Sequence, residues 1–400
     1  MSAKNVSSGD MIPRSYIDNM IGHELNNTSH DRDTNIDMFC YNKCTNDSDD
    51  IIKRCRGIVY DNDSLVMEAF PYTHEISHDC NPEILNDMFK YIDFDKCSMY
   101  DSHEGTLIRV FYYKHKWFVS THKKLDAFKS YWGSNQSFGD IYKSSLDSEY
   151  ETNDKFRNNI KDPNNTLESN RESLMEIFHD GLDKNHQYMF LLCTNKNNRV
   201  VCDSPEIQSL LHVGTFIDGK LNLKHDVCIR RPTQLYFSGQ DEMVEYVKSV
   251  NLHRTQGVIL FTPDNKQYKM VHGYYRELFN IRGNEPNIMF RFLQLRLDPK
   301  RLNKLIELYP DNVHMFDIYE RVIFNLAKSI HNSYIQRYVK GLWISLPKDE
   351  FIIMSKCHSW YKENRPMKIT LNKVIDIVNE QSPFHLNRII IRTIKSNKVQ

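Results

Sequence analysis

From about residue 36 to Val271 the apolar residues come in short alternating runs, and the runs are paired across brief, turn-rich joints. "GIVY" and "SLVMEAF" flank "DND"; "TLIRVFYY" and "WFVSTH" flank "KHK"; "YMFLLC" and "RVV" flank "TNKNN". "TFI" and "KLNL" flank "DG", and "GVILFT" and "KQYKMV" flank "PDN". Joints this short leave no room for the crossover a parallel pair requires, so the strands are predicted to be antiparallel. A chain built this way cannot be a doubly wound parallel α/β fold.

The period changes after Pro286. "DIYERVIFNLAKSIHNSYIQRYV" places Ile318, Val322, Leu326, Ile330 and Tyr334 at steps of four, which predicts a separate helical domain. Asp298-Pro299 reads as an N-cap followed by a first-turn proline, and "SPFHLNRIIIRTI" as a closing apolar helix or strand. The first 35 residues, rich in Ser, Asn and Asp, are expected to form a loose arm. A polar insert at about 133–171 is expected to be a flexible loop, and "DEMVEYVKSV" a helix within the strand-rich part. The predicted domains are therefore 1–35, 36–285 and 286–400. The fold class is α+β, with an antiparallel β-rich domain followed by an all-helical one.

With 40% hydrophobic and 26% charged residues, and no apolar run long enough to cross a bilayer, the 400-residue chain has a globular composition. Its polar first nine residues predict no secretory signal. The nine cysteines, odd in number and scattered, fit free thiols in a reducing compartment, and a cytoplasmic protein is expected. Cys40 and Cys44 are spaced like half a zinc site but lack a second pair, so no metal is expected. No internal repeat, P-loop, GxGxxG or CxxC pair occurs. Richness in Asn, Lys and Ile suits an AT-rich genome, a viral one among the candidates. Net charge is zero, yet from Arg296 onward 18 Lys and Arg face 10 Asp and Glu. That basic tail could attract RNA or serve solubility alone.

In order, "KRCRGIVYDND", "DSHEGTL", "YMFLLCTNKNNRVV", "TQGVILF" and "YKMVHGYYRELF" resemble the successive motifs of the phage RNA ligase 1 family, within the lysine-nucleotidyltransferase superfamily. The resemblance covers roughly Phe39 to Asn280, and the helical domain follows where that family carries its own. It implies an ATP-grasp-like ligase domain. It also implies a lysine that attacks the α-phosphate of ATP, with further cations over the phosphates and carboxylates for magnesium and the sugar.

Carried over residue by residue, the motifs lack that chemistry. Ser102 stands where the family has its nucleophilic lysine, in Ser102-His103-Glu104-Gly105, and a hydroxyl cannot form a phosphoramidate. The third-motif glutamate falls at Leu192, or at Leu191 or Cys193 with a one-residue slip; the fourth becomes Gln256; of the two fifth-motif lysines Lys269 remains and the other is Val271. No catalytic residue is expected. The candidate nucleotide-binding residues are Arg56, Glu104, Gly105, Gln256 and Lys269. Arg56 could equally be a structural arginine pinning its hairpin, Lys269 a solvated strand lysine, and Gly105 a turn glycine. Lys96, Lys123 and Lys124 are the candidates for a relocated nucleophile.

The leading expectation is a catalytically inactive RNA ligase-like protein retained for binding RNA, through the basic domain, or protein partners. The rival is an active ATP-dependent RNA ligase with a relocated lysine, acting in RNA joining or repair and using ATP and Mg2+; otherwise no cofactor is expected. A structural or assembly role is the third alternative.

Overall fold

The computed structural model describes residues 11–68, 70–160, 174–193, 199–205 and 209–397. The chain divides into two units, Met1–Glu277 and Leu278–Gln400. The change falls inside the helix Gly273–Arg282 rather than at the 285/286 step expected from composition.

Fourteen strands are described in the first unit: β1 Leu25–Asp31, β2 Ile36–Tyr41, β3 Arg56–Asp61, β4 Ser64–Met67, β5 His74–Ser77, β6 Ser98–Ser102 and β7 Gly105–Tyr113, then β8 Lys116–Ser120, β9 Gln187–Cys193, β10 Leu210–Ile217, β11 Lys220–Asn222, β12 Gln234–Leu235, β13 Gly257–Phe261 and β14 Gln267–Val271. They form a four-stranded sheet, β1-β2-β3-β4, and two five-stranded sheets, β11-β10-β9-β7-β8 and β12-β6-β13-β14-β5. Four of the expected hairpins are present: β3/β4, β7/β8, β10/β11 and β13/β14.

Three expectations about this unit need correction. Arg199–Val201 is no strand; β9 instead pairs with β7 and β10, and residues 194–198 lie outside the described residues. The pair β14/β5 is parallel, because β5 is reached through a long excursion and not a hairpin. From Met11 on, the polar arm contributes a helix, Arg14–Met20, and then β1, an edge strand whose single buried residue is Leu25; polarity there reflects an exposed edge.

The insert also differs from its reading as a loop. Phe138–Thr152 and Asp154–Asn159 are helices, and residues 161–171 of the insert lie outside the described residues. Ser137 and Asp140 form a reciprocal capping box at the start of the first. Phe138, Ile141, Tyr142, Ser145, Leu146 and Glu149 then lie at helical spacing on its buried face. Abundant Asn, Ser and Asp concealed this sparse stripe. It packs on the outer face of β7, β9 and β10, against Ile108, Val110, Phe190, Leu192 and Leu210. The "DEMVEYVKSV" segment is the helix Gln240–Ser249, as expected.

The second unit is helical: Ile288–Leu295, Pro299–Leu308, Val313–Tyr334, Lys348–Glu363, Leu371–Asn379 and Pro383–Asn397. Asp298 caps its helix with Pro299 in the first turn. In Val313–Tyr334 the buried stripe is Phe316, Tyr319, Ile323, Leu326, Ala327, Ile330 and Tyr334, with Ile318 and Val322 at its margin. Steps of four overshoot the 3.6-residue turn by about 40° each, so a stripe read that way drifts off the buried face. No described helix is long and apolar enough to cross a membrane.

Candidate functional site

Sheet register assembles the motif positions. Gly257 of β13 pairs with Ser102 of β6 on one side and Val271 of β14 on the other. The nucleophile position and the second lysine position therefore share one row and one face, about 10 Å apart at 4.8 Å per strand. Tyr100, Ile259 and Lys269 make the row two residues on. Only glycine fits between the two positions: Gly257 has φ +147°, and a Cβ there would lie 2.0 Å from the Met270 carbonyl oxygen. Opposite this sheet, Gly105, Leu107 and Leu191 of the β7–β9 pair complete a cavity of about 190 Å3 that Arg56, Ser102, His103, Gln256 and Lys269 also line.

The structure separates the carried-over residues. Leu191 faces this cavity, whereas Leu192 is 2% exposed and points into the apolar cluster behind the sheet. Of the three residues expected at the third-motif position, Leu191 lines the cavity, Cys193 shares its strand face and Leu192 points the other way. Lys269 Nζ lies 2.5 Å from Glu75 Oε2 and donates to Gln256 Oε1 at 3.2 Å. Gln256 in turn donates from Nε2 to the His103 carbonyl at 2.8 Å. The remaining lysine therefore has an acid and an amide as partners. Arg56 lines the cavity and donates to the Pro71 carbonyl at 3.4 Å.

Glu104 does not line the cavity. The residue is 7% exposed, and its carboxylate accepts from the Val201 amide at 2.9 Å, the Cys202 amide at 3.0 Å and the Tyr275 hydroxyl at 2.7 Å. Burial pushes its pKa above the usual carboxylate range, against the pull of these donors. These bonds tie the chain after β9 to Tyr275. Gly105 is retained for close approach, not for a turn, since a Cβ there would sit 2.5 Å from the Leu192 carbonyl oxygen.

None of the three substitute lysines lines the cavity. Lys96 is ion-paired with Asp93 at 2.8 Å on the surface. Lys123 and Lys124 follow β8, where their amides are held by the Thr121 hydroxyl. All nine cysteines are thiols, and among the described residues no group of three or more His, Cys, Asp or Glu could hold a metal ion.

The remaining lining was not anticipated. Phe70, Tyr100, Val213, Ile259 and Phe261 give it apolar walls, and Thr73, Asp101, His212, Arg231 and Gln267 add polar groups. Asp101 accepts from the Tyr246 hydroxyl at 2.6 Å. Burial and the neighbouring Arg231 push the His212 pKa down to about 3, so the ring is neutral at physiological pH. Strand parity could have revealed Gln267, which shares its face with Lys269.

No family model matches the chain. It is 28% identical to an immediate-early protein ICP-46 homolog of Invertebrate iridescent virus 6, over 84% of this chain and 76% of that protein. The homolog of Invertebrate iridescent virus 3 is also 28% identical, over 76% of this chain and 63% of the relative. The ICP-46 protein of Frog virus 3 is 25% identical, over 60% of this chain and 58% of its own length. Similar solved structures include a putative ATP-dependent DNA ligase from Aquifex aeolicus, 11% identical with a TM-score of 0.37 over 88% of each chain. An archaeal ATP-dependent RNA ligase, 9% identical, gives a TM-score of 0.37 over 70% of this chain and 68% of its own.

Proposed function

We propose that this chain is a catalytically inert, RNA ligase-like protein of viral origin that acts by binding, with RNA as its partner through the helical unit. One observation carries the inert reading. Motif positions far apart in sequence meet around a single cavity, yet they present Ser102, Leu191 and Gln256 in place of an amine and two carboxylates, while Lys269 is held by Glu75. Adenylate capture needs a free amine nucleophile and carboxylates that hold metal on the phosphates, whereas the one lysine in this lining is paired with an acid and these motif positions carry no carboxylate.

Support for RNA comes from the helical unit itself. Arg337 lies over the Tyr338 ring, Tyr338 stacks on His358 at 3.9 Å and 9°, and Arg365 lies over Tyr361. Lys362 follows on the same helix end. Cations interleaved with aromatic rings suit a flexible polyanion whose bases stack. The relatives' names describe immediate-early viral proteins, which fits a binding role early in infection.

Incubation with α-labelled ATP and magnesium, followed by denaturing electrophoresis, tests inertness. The expected result is no labelled band; a covalent adduct on any lysine would establish the rival, an active ligase. Labelled single-stranded RNA should bind with an affinity that falls as salt rises. Replacing Arg337, Lys362 and Arg365 together by Ala should flatten the log–log salt slope by about 2, at roughly 0.7 per phosphate contact. Absence of RNA binding would leave a protein-partner or assembly role.

A further inference from the structure

We infer that the cavity between the sheets is a binding site for a small, neutral, single-ring molecule bearing a carboxamide or lactam group. This goes beyond the reading above, since it does not require RNA binding and its outcome is independent of it. Size is the first argument. At about 190 Å3 the cavity is smaller than the roughly 300–1,000 Å3 of drug-sized ligand sites, and modestly larger than an apolar cavity of about 150 Å3 that holds benzene. One ring with a short substituent fills it.

The walls are the second argument. Phe70 and Phe261 have ring centroids 5.8 Å apart, and Tyr100 meets Phe261 edge-on at 6.2 Å, with Leu107, Val213 and Ile259 completing an apolar enclosure. Such a surface favours a flat, uncharged ring. Each of the three cations facing the cavity already has a protein partner, and Asp101 adds a carboxylate to the lining. Lys269 is paired with Glu75, Arg231 donates to the Leu223 carbonyl and meets His212 Nδ1 at 3.3 Å, and Arg56 donates to the Pro71 carbonyl at 3.4 Å.

The third argument is an unsatisfied group. Gln267 lines the cavity, is 3% exposed, and its Nε2 is buried without a hydrogen-bond partner, while its Oε1 accepts from the Thr73 hydroxyl at 3.1 Å. Exchanging the amide nitrogen and oxygen does not remove the deficit. The nitrogen would then donate to Thr73, and the oxygen would be left without a donor. Buried polar groups are normally paired, so a ligand that reaches Gln267 is selected for a group complementary to an amide. A carboxamide or lactam offers both a donor and an acceptor and satisfies Gln267 in either orientation.

Benzamide is the probe, with toluene as the apolar control, followed by ligand-observed NMR and the shift in melting temperature of the full chain. Saturable benzamide binding that raises the melting temperature is expected. Gln267→Met should weaken benzamide at least tenfold while leaving toluene as tight or tighter, and Val213→Trp, which fills the cavity, should abolish both. The second variant keeps the test decisive if Gln267→Met does not fold. No saturable benzamide binding to the native chain, as a merely water-filled cavity would give, overturns the proposal. So does equal benzamide affinity in a folded Gln267→Met variant, or displacement of benzamide by ATP and magnesium, which would make this a nucleotide site.

Discussion

Arg109→Lys should destabilise the first unit by about 3 kcal/mol, lowering its thermal midpoint by roughly 6–12 °C at the sensitivity of a domain of this size. Arg109 is fully buried on β7, and its guanidinium donates to the Gly57 carbonyl at 2.5 Å and the Thr121 carbonyl at 2.7 Å. The ion thereby clamps β3 to the chain leaving β8. Lysine keeps the charge but concentrates it at one strongly hydrated nitrogen that cannot reach both carbonyls, so desolvation persists while a buried acceptor is orphaned. Differential scanning calorimetry measures the loss. Gly57, at φ +80°, is tied to the same clamp, because a Cβ there would lie 2.7 Å from Arg109 Nη1.

The pH dependence of that deficit has a definite sign. No carboxylate among the described residues adjoins Arg109, and burial lowers its pKa to about 9. A buried cation whose folded pKa lies below its unfolded value binds fewer protons in the native state, so stability rises with pH through that interval. An ammonium in the same place meets the same burial and can lose its proton more readily than a guanidinium. The Arg109→Lys deficit should therefore shrink between pH 7 and pH 10. A deficit that stays constant would show that the lysine has found solvent or an acid.

Arg109 also marks what was legible in the sequence. Within "TLIRVFYY" an arginine in an apolar strand signals something unusual, but its partners are carbonyls 52 and 12 residues away, and composition carries no record of backbone acceptors. The strand runs and their turn residues were readable because period and turn chemistry are local. So was the convergence on Ser102, Gln256 and Lys269, through ordered motifs. What stayed hidden was set by pairing. Leu191 and Leu192 are both leucines, and only the register with Leu107 and Thr106 shows which faces the cavity. The helices of the insert were hidden because their buried face includes Ser145 and Glu149, residues that read as solvent-facing.

Gly105→Ala and Ser102→Ala should differ sharply, in the direction opposite to that expected of an enzyme's nucleophile loop. At Gly105 an added Cβ would stand 2.5 Å from the Leu192 carbonyl oxygen and 2.9 Å from Leu191 Cγ, on the strand paired with it. The β7–β9 pair must separate to admit it, at a cost of about 2–3 kcal/mol by the measure of overpacked sites. At Ser102 the hydroxyl has no hydrogen-bond partner among the described residues, and removing it should change stability by less than about 0.5 kcal/mol. Urea unfolding of the two variants gives the comparison directly. In an active transferase the glycine and the nucleophile are both held by the reaction. Here the strand geometry constrains the glycine, whereas the serine hydroxyl makes no hydrogen bond among the described residues. A large loss from Ser102→Ala would mean that its hydroxyl has work to do, and the inert reading would fail at its central residue.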